Sequence, residues 1–453
     1  MDAGIFREYD IRGTVPDKLS EETVYRLGLG IGTYYGNNNV RKVSVGRDCR
    51  LSSPALRDYL TQGLLETGLE IVDLGMVPTP LLYFSICRLK LDGGVQITGS
   101  HNPPEFNGFK ICVGEHSIHG DEIQAVREII EKGDFIRGEG SIEEFQIDAA
   151  YLDYVEENIS TGPFAGRIVV DAGNGAGGPV ACKLYKRLGF EVVPIFCEPD
   201  GRFPNHHPDP TVPQNLAEMI KRVKSESALL GLAFDGDADR LGVVDGEGNI
   251  IWGDQLMIIF ARDLLKRHPG AKIIGEVKCS QVLYDDIERH GGKAIMWKAG
   301  HSLIKSKMKE EGALLAGEMS GHLFFKERYL GYDDAFYAGA RLLEIISGSG
   351  VKVSKLLSGI PQMVNTPEIR VECPDDEKFD VVKEIARDFK KDYPVIDVDG
   401  ARVIFDGGWG LIRASNTQPV LVLRFEATDK KRLEEIKEIF TERLSRTSCR
   451  ISL

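Results

Sequence analysis

The fold class this sequence predicts is α/β, with three repeated α/β domains carrying mixed sheets and a C-terminal α+β domain. Three observations predict it. The chain has 453 residues, too many for one core at roughly 150 residues per domain. β-branched strands alternate with helically spaced apolar residues three times in succession, the pattern of strands covered by helices. Beyond about Thr366 the pattern changes to short strands parted by glycine turns, which favours a largely antiparallel sheet.

The first pass begins with the strand KVSVGRD at 42–48 and continues through the helix LRDYLTQGLLETG, whose Leu56, Tyr59, Leu60 and Leu64 share one face. The strand LEIVDLG follows, then GGVQITG, which runs into Ser100. The second pass has the strand RIVVD at 167–171, a helix closing at Leu188-Gly189, the strand FEVVPIF, and LLGLAF running into Asp235. The third has KIIGE at 272–276, a helix closing at Gly291-Gly292, the strand KAIMW, and ALLAG running into Glu318. The last segment reads as EIRVEC, the helix FDVVKEIARDFKKD, strands ARVIFDG, WGLIRAS and VLVLRFEA, and a charged amphipathic helix near LEEIKEIFTERL. The domain boundaries expected from this are 1–148, 149–249, 250–362 and 363–453.

A net charge of −13 disfavours nucleic acid and anionic membrane as partners unless a basic patch overrides it, and none is evident. An anionic substrate must then be drawn in locally, with Arg12, Lys278, Arg240 and Arg413 as candidates. Eight scattered cysteines without C-x-x-C spacing read as reduced, buried thiols. MDAGIFREYDIRG shows no basic stretch leading into an apolar one, and no run approaches the roughly 20 apolar residues that span a bilayer. A cytoplasmic protein is expected, and nothing demands more than a monomer.

Each repeat ends in a loop with chemistry. TGSHNPPEFNGFK at 98–110 presents Ser100 beside His101, with Lys110 a short loop away; it lacks the G-x-S-x-G of an α/β-hydrolase elbow. DGDADR at 235–240 alternates Asp235, Asp237 and Asp239 with small residues and closes on Arg240, which suits a hard divalent cation next to a phosphate. An EF-hand is excluded, because position six would be Arg240 and position twelve Gly246. GEMSGH at 317–322 gathers Glu318, Ser320 and His322, donors and acceptors suited to sugar hydroxyls. In the last domain, RASNTQP offers Arg413, Ser415, Asn416 and Thr417 as a phosphate cradle.

Taken singly, each loop also reads as an ordinary polar turn. Gly173-Asn174-Gly175-Ala176-Gly177-Gly178 satisfies G-x-G-x-x-G after a strand, so an NAD-dependent dehydrogenase is the competitor from another class. Asp171 would set a negative charge ahead of the pyrophosphate turn, and the serine and aspartate loops would go unexplained, so these glycines are expected to serve turns and packing. His206-His207 lies in the proline-rich PDGRFPNHHPDP, expected as a fixed surface loop. His301, by position alone, reads as a cap or packing residue.

Together the loops resemble the α-D-phosphohexomutase family over essentially the whole chain. TGSHNPPEFNGFK is similar to its phosphoserine loop, DGDADR to its metal loop, GEMSGH to its sugar-specificity loop and RASNTQP to its phosphate-binding loop, with FREYDIRG and KAGHSLIK as further matches. The resemblance implies four domains around a central cleft, the last TATA-binding-protein-like. It implies that Ser100 carries the phosphate and that Asp235, Asp237, Asp239 and a phosphoserine oxygen hold Mg²⁺, with glucose 1,6-bisphosphate as activator. Lys110 and His301 correspond to its proton-transfer groups, Arg12, Arg240 and Lys278 to charge support, His101 to support of the serine loop, and Tyr9 to a residue near the cleft. Glu318, Ser320 and His322 would read the sugar, and Arg413, Ser415, Asn416 and Thr417 the phosphate. GEMSGH and Ser-Asn-Thr resemble the bifunctional mannose and glucose branch, with the phosphoglucosamine branch, which usually reads GEQSGH, as the alternative. Ala238 replaces a frequent glycine.

Overall fold

The computed structural model describes residues 1–415 and 419–446. In the first sheet Lys42–Arg47 is central, flanked in parallel by Glu70–Met76 and Gly93–Ile97, and Phe106–Val113 returns antiparallel beside the latter. The second sheet repeats the arrangement with Arg167–Asp171, Glu191–Ile195, Leu230–Phe234 and Leu241–Asp245. The third repeats it with Lys272–Glu276, Lys293–Trp297, Leu315–Gly317 and Leu323–Phe325. Because the third strand of each unit is parallel and the fourth reverses, the loop between them lies at the carboxyl edge of its sheet, where open α/β sheets bind ligands. Ser100, Asp235 to Arg240, and Glu318 to His322 occupy these three equivalent loops.

The first sheet is widened by Ile11–Thr14 beside Phe106–Val113, by Ser141–Glu144 at the other edge and by His116–Ser117. Over it lies the helix Glu21–Asn37, whose N-cap Ser20 accepts a hydrogen bond from Thr23 N–H at 3.3 Å. It packs on Ser53–Leu65 through glycines: a Cβ on Gly28 would sit 2.4 Å from Leu60 O, and one on Gly63 2.4 Å from Tyr25 O. The fourth sheet, from Val364–Asn365 to Val420–Ala427, is wholly antiparallel and is covered by Lys378–Phe389 and Lys430–Leu444.

The largest apolar cluster crosses all three repeats, from Leu81 and Phe84 through Tyr151, Leu184 and Phe234 to Leu256, Phe336 and Leu342. The helix Ala335–Ser349 joins them: its N-cap Asp334 accepts from Tyr337 N–H and from the Tyr151 hydroxyl, both at 2.9 Å, and Tyr185 donates to Phe336 O at 3.2 Å. The last domain docks through Trp409 and Leu411 on Val277. There the buried Arg402 donates to Val277 O at 2.6 Å and Cys279 O at 2.7 Å and lies 3.8 Å over the Trp409 ring.

Two expectations need correction. The loop 199–210 is not a surface loop throughout: Phe203, Pro208 and Pro210 are buried, a Cβ on Gly201 would meet Cys49 O at 2.4 Å, and Phe203 lies under the Arg50 guanidinium at 5.1 Å. The cysteines are only partly the buried thiols expected. Cys112, Cys279 and Cys373 are buried, whereas Cys49, Cys87, Cys182 and Cys197 are half-buried. Among the described residues no helix is long and apolar enough to cross a membrane.

Candidate active site

Ser100 sits in a left-handed turn, φ +47°, and is buried. A non-glycine residue at positive φ is strained unless its surroundings hold it there, and Arg50 supplies the hold. Its guanidinium, with no exposed surface, donates to Ser100 O at 2.8 Å, Asn102 O at 2.6 Å, Pro103 O at 2.6 Å and Phe106 O at 3.0 Å, while Asp48 pairs with its Nε at 3.1 Å. Asp48 also accepts from Gly99 N–H at 3.1 Å. Gly99 has no alternative, because a Cβ there would lie 2.5 Å from Arg50 Cζ. Neither Asp48 nor Arg50 was found as a site residue by sequence reasoning; their signal was the polar RDCR directly after the central strand of the first repeat.

Held this way, the Ser100 hydroxyl donates to Asp235 Oδ2 at 2.8 Å and lies 3.1 Å from His101 Nδ1. A Cβ on Gly236 would lie 2.3 Å from Ser100 O, so the serine and aspartate loops touch. Asp235, Asp237 and Asp239 are each fully buried and bring carboxylate oxygens within 4.8 Å of one another, a possible metal site. Burial and mutual repulsion push the Asp235 carboxyl well up. Lys110 bonds Asp237 at 2.7 Å and also Asp239. Burial works against the lysine's charge, but the two aspartates raise its pKa, so it holds its proton. Asp237 Oδ1 and Asp239 Oδ1 stay buried without a hydrogen bond among the described residues. Such orphaned carboxylate oxygens suit a cation. Ala238, at φ +58° and fully buried, occupies a left-handed position, which accounts for glycine being the easier residue there.

The third loop meets the second directly. Arg240 and His322 form a backbone bridge, and Arg240 Nε–H donates to His322 Nε2 at 3.0 Å. Ser320 donates to Glu318 at 3.2 Å, and Glu318 accepts from Gly300 N–H at 2.5 Å, which fixes the turn before His301. The His301 ring stacks on His322 with centroids 5.5 Å apart and meets Tyr9 edge-on at 6.2 Å. Burial drives the pKa values of both His301 and His101 well down, so each ring is neutral.

Tyr9 donates to Ala299 O at 2.9 Å, tying the N-terminal segment to the third domain. Asp399 then accepts from Ala299 N–H at 3.1 Å and from Arg413 Nε at 3.0 Å, which brings the fourth domain to the same place. Lys278 donates to Glu368 at 2.9 Å, also across that junction, and holds its carboxyl down at about 2. Arg12 pairs with Asp10 and donates to Asn102 at 2.6 Å, on the serine loop. Ser415 is buried at the strand end, and Asn416 and Thr417 lie outside the described residues. The sequence-derived residues that the structure describes therefore gather along one contact path, from Ser100 through the aspartates and histidines to Arg413. Sequence reasoning missed Glu368 and Asp399, whose part in the site comes from the distant groups the fold brings to them.

The glycine-rich stretch 173–178 is spent on packing. Asp171 accepts from Gly173 N–H at 2.9 Å and faces His206 Nε2 at 3.1 Å. A Cβ on Gly178 would lie 2.0 Å from Cys197 O, and one on Gly177 2.7 Å from the Ala238 Cβ. The stretch backs the aspartate loop and leaves its first amide already bonded.

Four family models cover nearly the whole chain: phosphoglucomutase/phosphomannomutase α/β/α domain I matches residues 3–137, domain II 149–248, domain III 252–364 and the C-terminal domain 368–443. A Pseudomonas aeruginosa protein named phosphomannomutase/phosphoglucomutase is 49% identical over 445 residues, covering 98% of this chain and 96% of that one. A Neisseria gonorrhoeae protein named phosphoglucomutase is 48% identical over 442 residues, covering 96% and 95%. The crystal structure of a Burkholderia thailandensis phosphoglucomutase/phosphomannomutase family protein superposes with a TM-score of 0.93 at 43% identity, covering 98% of each chain. With its four domains, its three equivalent loops and these matches, the chain belongs to the phosphoglucomutase/phosphomannomutase family of α-D-phosphohexomutases.

Proposed function

We propose that this protein interconverts the 1- and 6-phosphates of glucose and mannose through a phosphorylated Ser100. The observation that carries the reading is the Ser100 hydroxyl 2.8 Å from Asp235 in a buried three-carboxylate cluster, with Lys110 at its edge. A phosphoryl group on Ser100 passes to the free hydroxyl of a hexose phosphate; the O–P bond to serine breaks as the bond to sugar forms, and the hydroxyl proton goes to a protein base. The resulting hexose 1,6-bisphosphate turns over in the cleft and returns its other phosphate to Ser100.

Asp235, Asp237 and Asp239 fit Mg²⁺, since hard carboxylate oxygens are its usual ligands and two of theirs are otherwise orphaned. Bound there with an oxygen of the phosphorylated serine, the ion would offset negative charge on the transferring group. Neutral His301 is the base for the sugar hydroxyl, and protonated Lys110 is the acid that stabilises the serine oxygen as it leaves. His101 borders the serine, and Arg12 and Arg240 balance phosphate charge. Glu318, Ser320 and His322 bond the sugar. Tyr9, Lys278, Arg413, Ser415, Asn416 and Thr417 receive the phosphate that is not reacting. Glucose 1,6-bisphosphate primes the serine, the protein works as a monomer in the cytoplasm, and its domain boundaries follow those read from the sequence.

The mannose activity rests on the third loop, GEMSGH, since the 49% and 48% identical relatives carry different names. The test is turnover of mannose, glucose and glucosamine 1-phosphates to the 6-phosphates, with Mg²⁺ and a trace of glucose 1,6-bisphosphate. Comparable rates on glucose and mannose are expected. Preference for glucosamine would move the protein to the neighbouring branch, and release of inorganic phosphate alone would make it a phosphatase.

A further inference from the structure

Away from the cleft, His116, His119 and Glu122 follow one another at intervals of three residues. The fold turns all three toward one point. His116 lies in the short strand His116–Ser117, Gly120 at φ +53° takes a left-handed turn that a side chain would resist, and Glu122 stands in the first turn of the helix Asp121–Lys132. Glu122 Oε2 lies 2.7 Å from His116 Nε2 and 3.9 Å from His119 Nδ1, and the ligand atoms of the three residues stand within 4.8 Å of one another. The two rings meet edge-on with centroids 5.3 Å apart. Ligand atoms around a tetrahedral cation, at bonds of about 2.0–2.1 Å, stand roughly 3.3 Å from each other. The two measured distances straddle that spacing.

A simple ion pair accounts for less of this arrangement. It needs one imidazole on the carboxylate, whereas here a second ring nitrogen faces the same oxygen, and half-exposed pairs gain little from charge alone. The carboxylate is also oriented from its other side: Tyr34 donates its hydroxyl to Oε1 at 3.3 Å, which leaves Oε2 to the histidines. His119 Nδ1 lies 3.1 Å from Ser117 O, a contact that a bound cation would replace. Two imidazoles and one carboxylate favour zinc or a similar transition ion over Mg²⁺, which prefers oxygen alone. The three-aspartate cluster has the opposite character. All three residues are half-buried, so water can serve as the fourth ligand. The Glu8 carboxylate adds negative charge beside them, its Oε1 3.3 Å from where a Cβ on Gly120 would stand.

We propose that His116, His119 and Glu122 form a cation site for Zn²⁺ or a similar transition ion, separate from the three aspartates. The ion clasps the hairpin that follows the strand Phe106–Val113 to the helix Asp121–Lys132, where the first domain meets its surroundings. Ser117, between the histidines, accepts from Lys305 of the third domain at 2.7 Å, and Gly120 N–H donates to Glu8 O at 2.7 Å, one residue before Tyr9. The inference does not depend on the mutase reading.

The experiment titrates the full-length protein with Zn²⁺ in excess Mg²⁺, which keeps the three aspartates supplied, and follows it by isothermal calorimetry and thermal melting. The wild type should take up one equivalent that raises Tm. His116→Asn combined with His119→Asn, with folding checked by circular dichroism, should bind that equivalent at least about 100-fold more weakly and show no rise. X-ray absorption at the zinc edge of the wild type carrying one equivalent should show two imidazoles together with oxygen donors. A shell of oxygen alone would place the ion on the aspartates, and one containing sulfur would place it on cysteine; either overturns the proposal. So does equal uptake by the wild type and the double variant, or no uptake by the wild type. If the double variant does not fold, the wild-type absorption spectrum decides alone.

Discussion

Ser100 is useful only because its backbone is held where a serine would not otherwise sit, and the hold comes from residues far away in sequence. Arg50 offers its donors to four carbonyls of the serine loop and lies buried against Asp48. Removing one member of such a pair leaves the other charge buried and unpaired, so Arg50→Met is expected to lose about 3–5 kcal/mol of stability in urea denaturation. A loss below about 1 kcal/mol would mean that the loop keeps its shape without the guanidinium. Ser100, the three aspartates and Lys110 were legible because each stands in a short polar loop with a spacing that chemistry explains. Arg50 was not, because its importance lies in which distant groups the fold brings to it. His301 read as a cap by position alone and gained a catalytic role only through the family resemblance; its ring stacks on His322.

At the scale of elements, the succession of strands was readable from the β-branched runs, with glycines marking the ends of the intervening helices, and all three repeats carry it. The helix Glu21–Asn37 was not read, since the glycines of LGLGIG lower helix propensity. Gly28 serves instead, with Gly63 of the helix Ser53–Leu65, to bring two helix backbones together. The loop 199–210 was misread for a similar reason: its prolines mark irregular backbone but say nothing of what covers it. That loop provides a test, because His206 clasps Asp171 at the end of the second domain's central strand. Burial opposes the His206 charge, but the carboxylate outweighs it and raises the pKa above 6.5. Its charged pairing therefore stabilises the fold fully below that value and is lost as pH rises through the shifted one. His206→Gln should cost more stability at pH 5.5 than at pH 8.5. An equal cost at both would show that the pairing carries no charge.

For the whole molecule, the shared core of the first three domains contrasts with the narrow seat of the fourth. Leu81, Tyr151, Phe234 and Phe336 belong to one cluster, so the serine, aspartate and sugar loops stand on one shared core. The fourth domain meets the third through Val277, Trp409, Leu411 and the Arg402 bonds, while Arg413 reaches the cleft through Asp399. We predict that the fourth domain hinges on this seat, since a bisphosphate that reorients must not escape. Small-angle scattering should show a smaller radius of gyration on adding glucose 6-phosphate, and no compaction would argue against closure by this domain. The four-domain division was visible in the sequence, but not the fusion of three cores, because apolar residues on a helix do not reveal which neighbour they will meet.

The measurement that tests the account most directly is peptide mass spectrometry of the protein after incubation with glucose 1,6-bisphosphate and Mg²⁺, followed by a chase with glucose 1-phosphate. Phosphate should be found on Ser100, should leave it during the chase as glucose 1,6-bisphosphate forms, and should be absent in Ser100→Ala. Phosphate on another residue, or turnover of glucose 1-phosphate by Ser100→Ala at the wild-type rate, would contradict it.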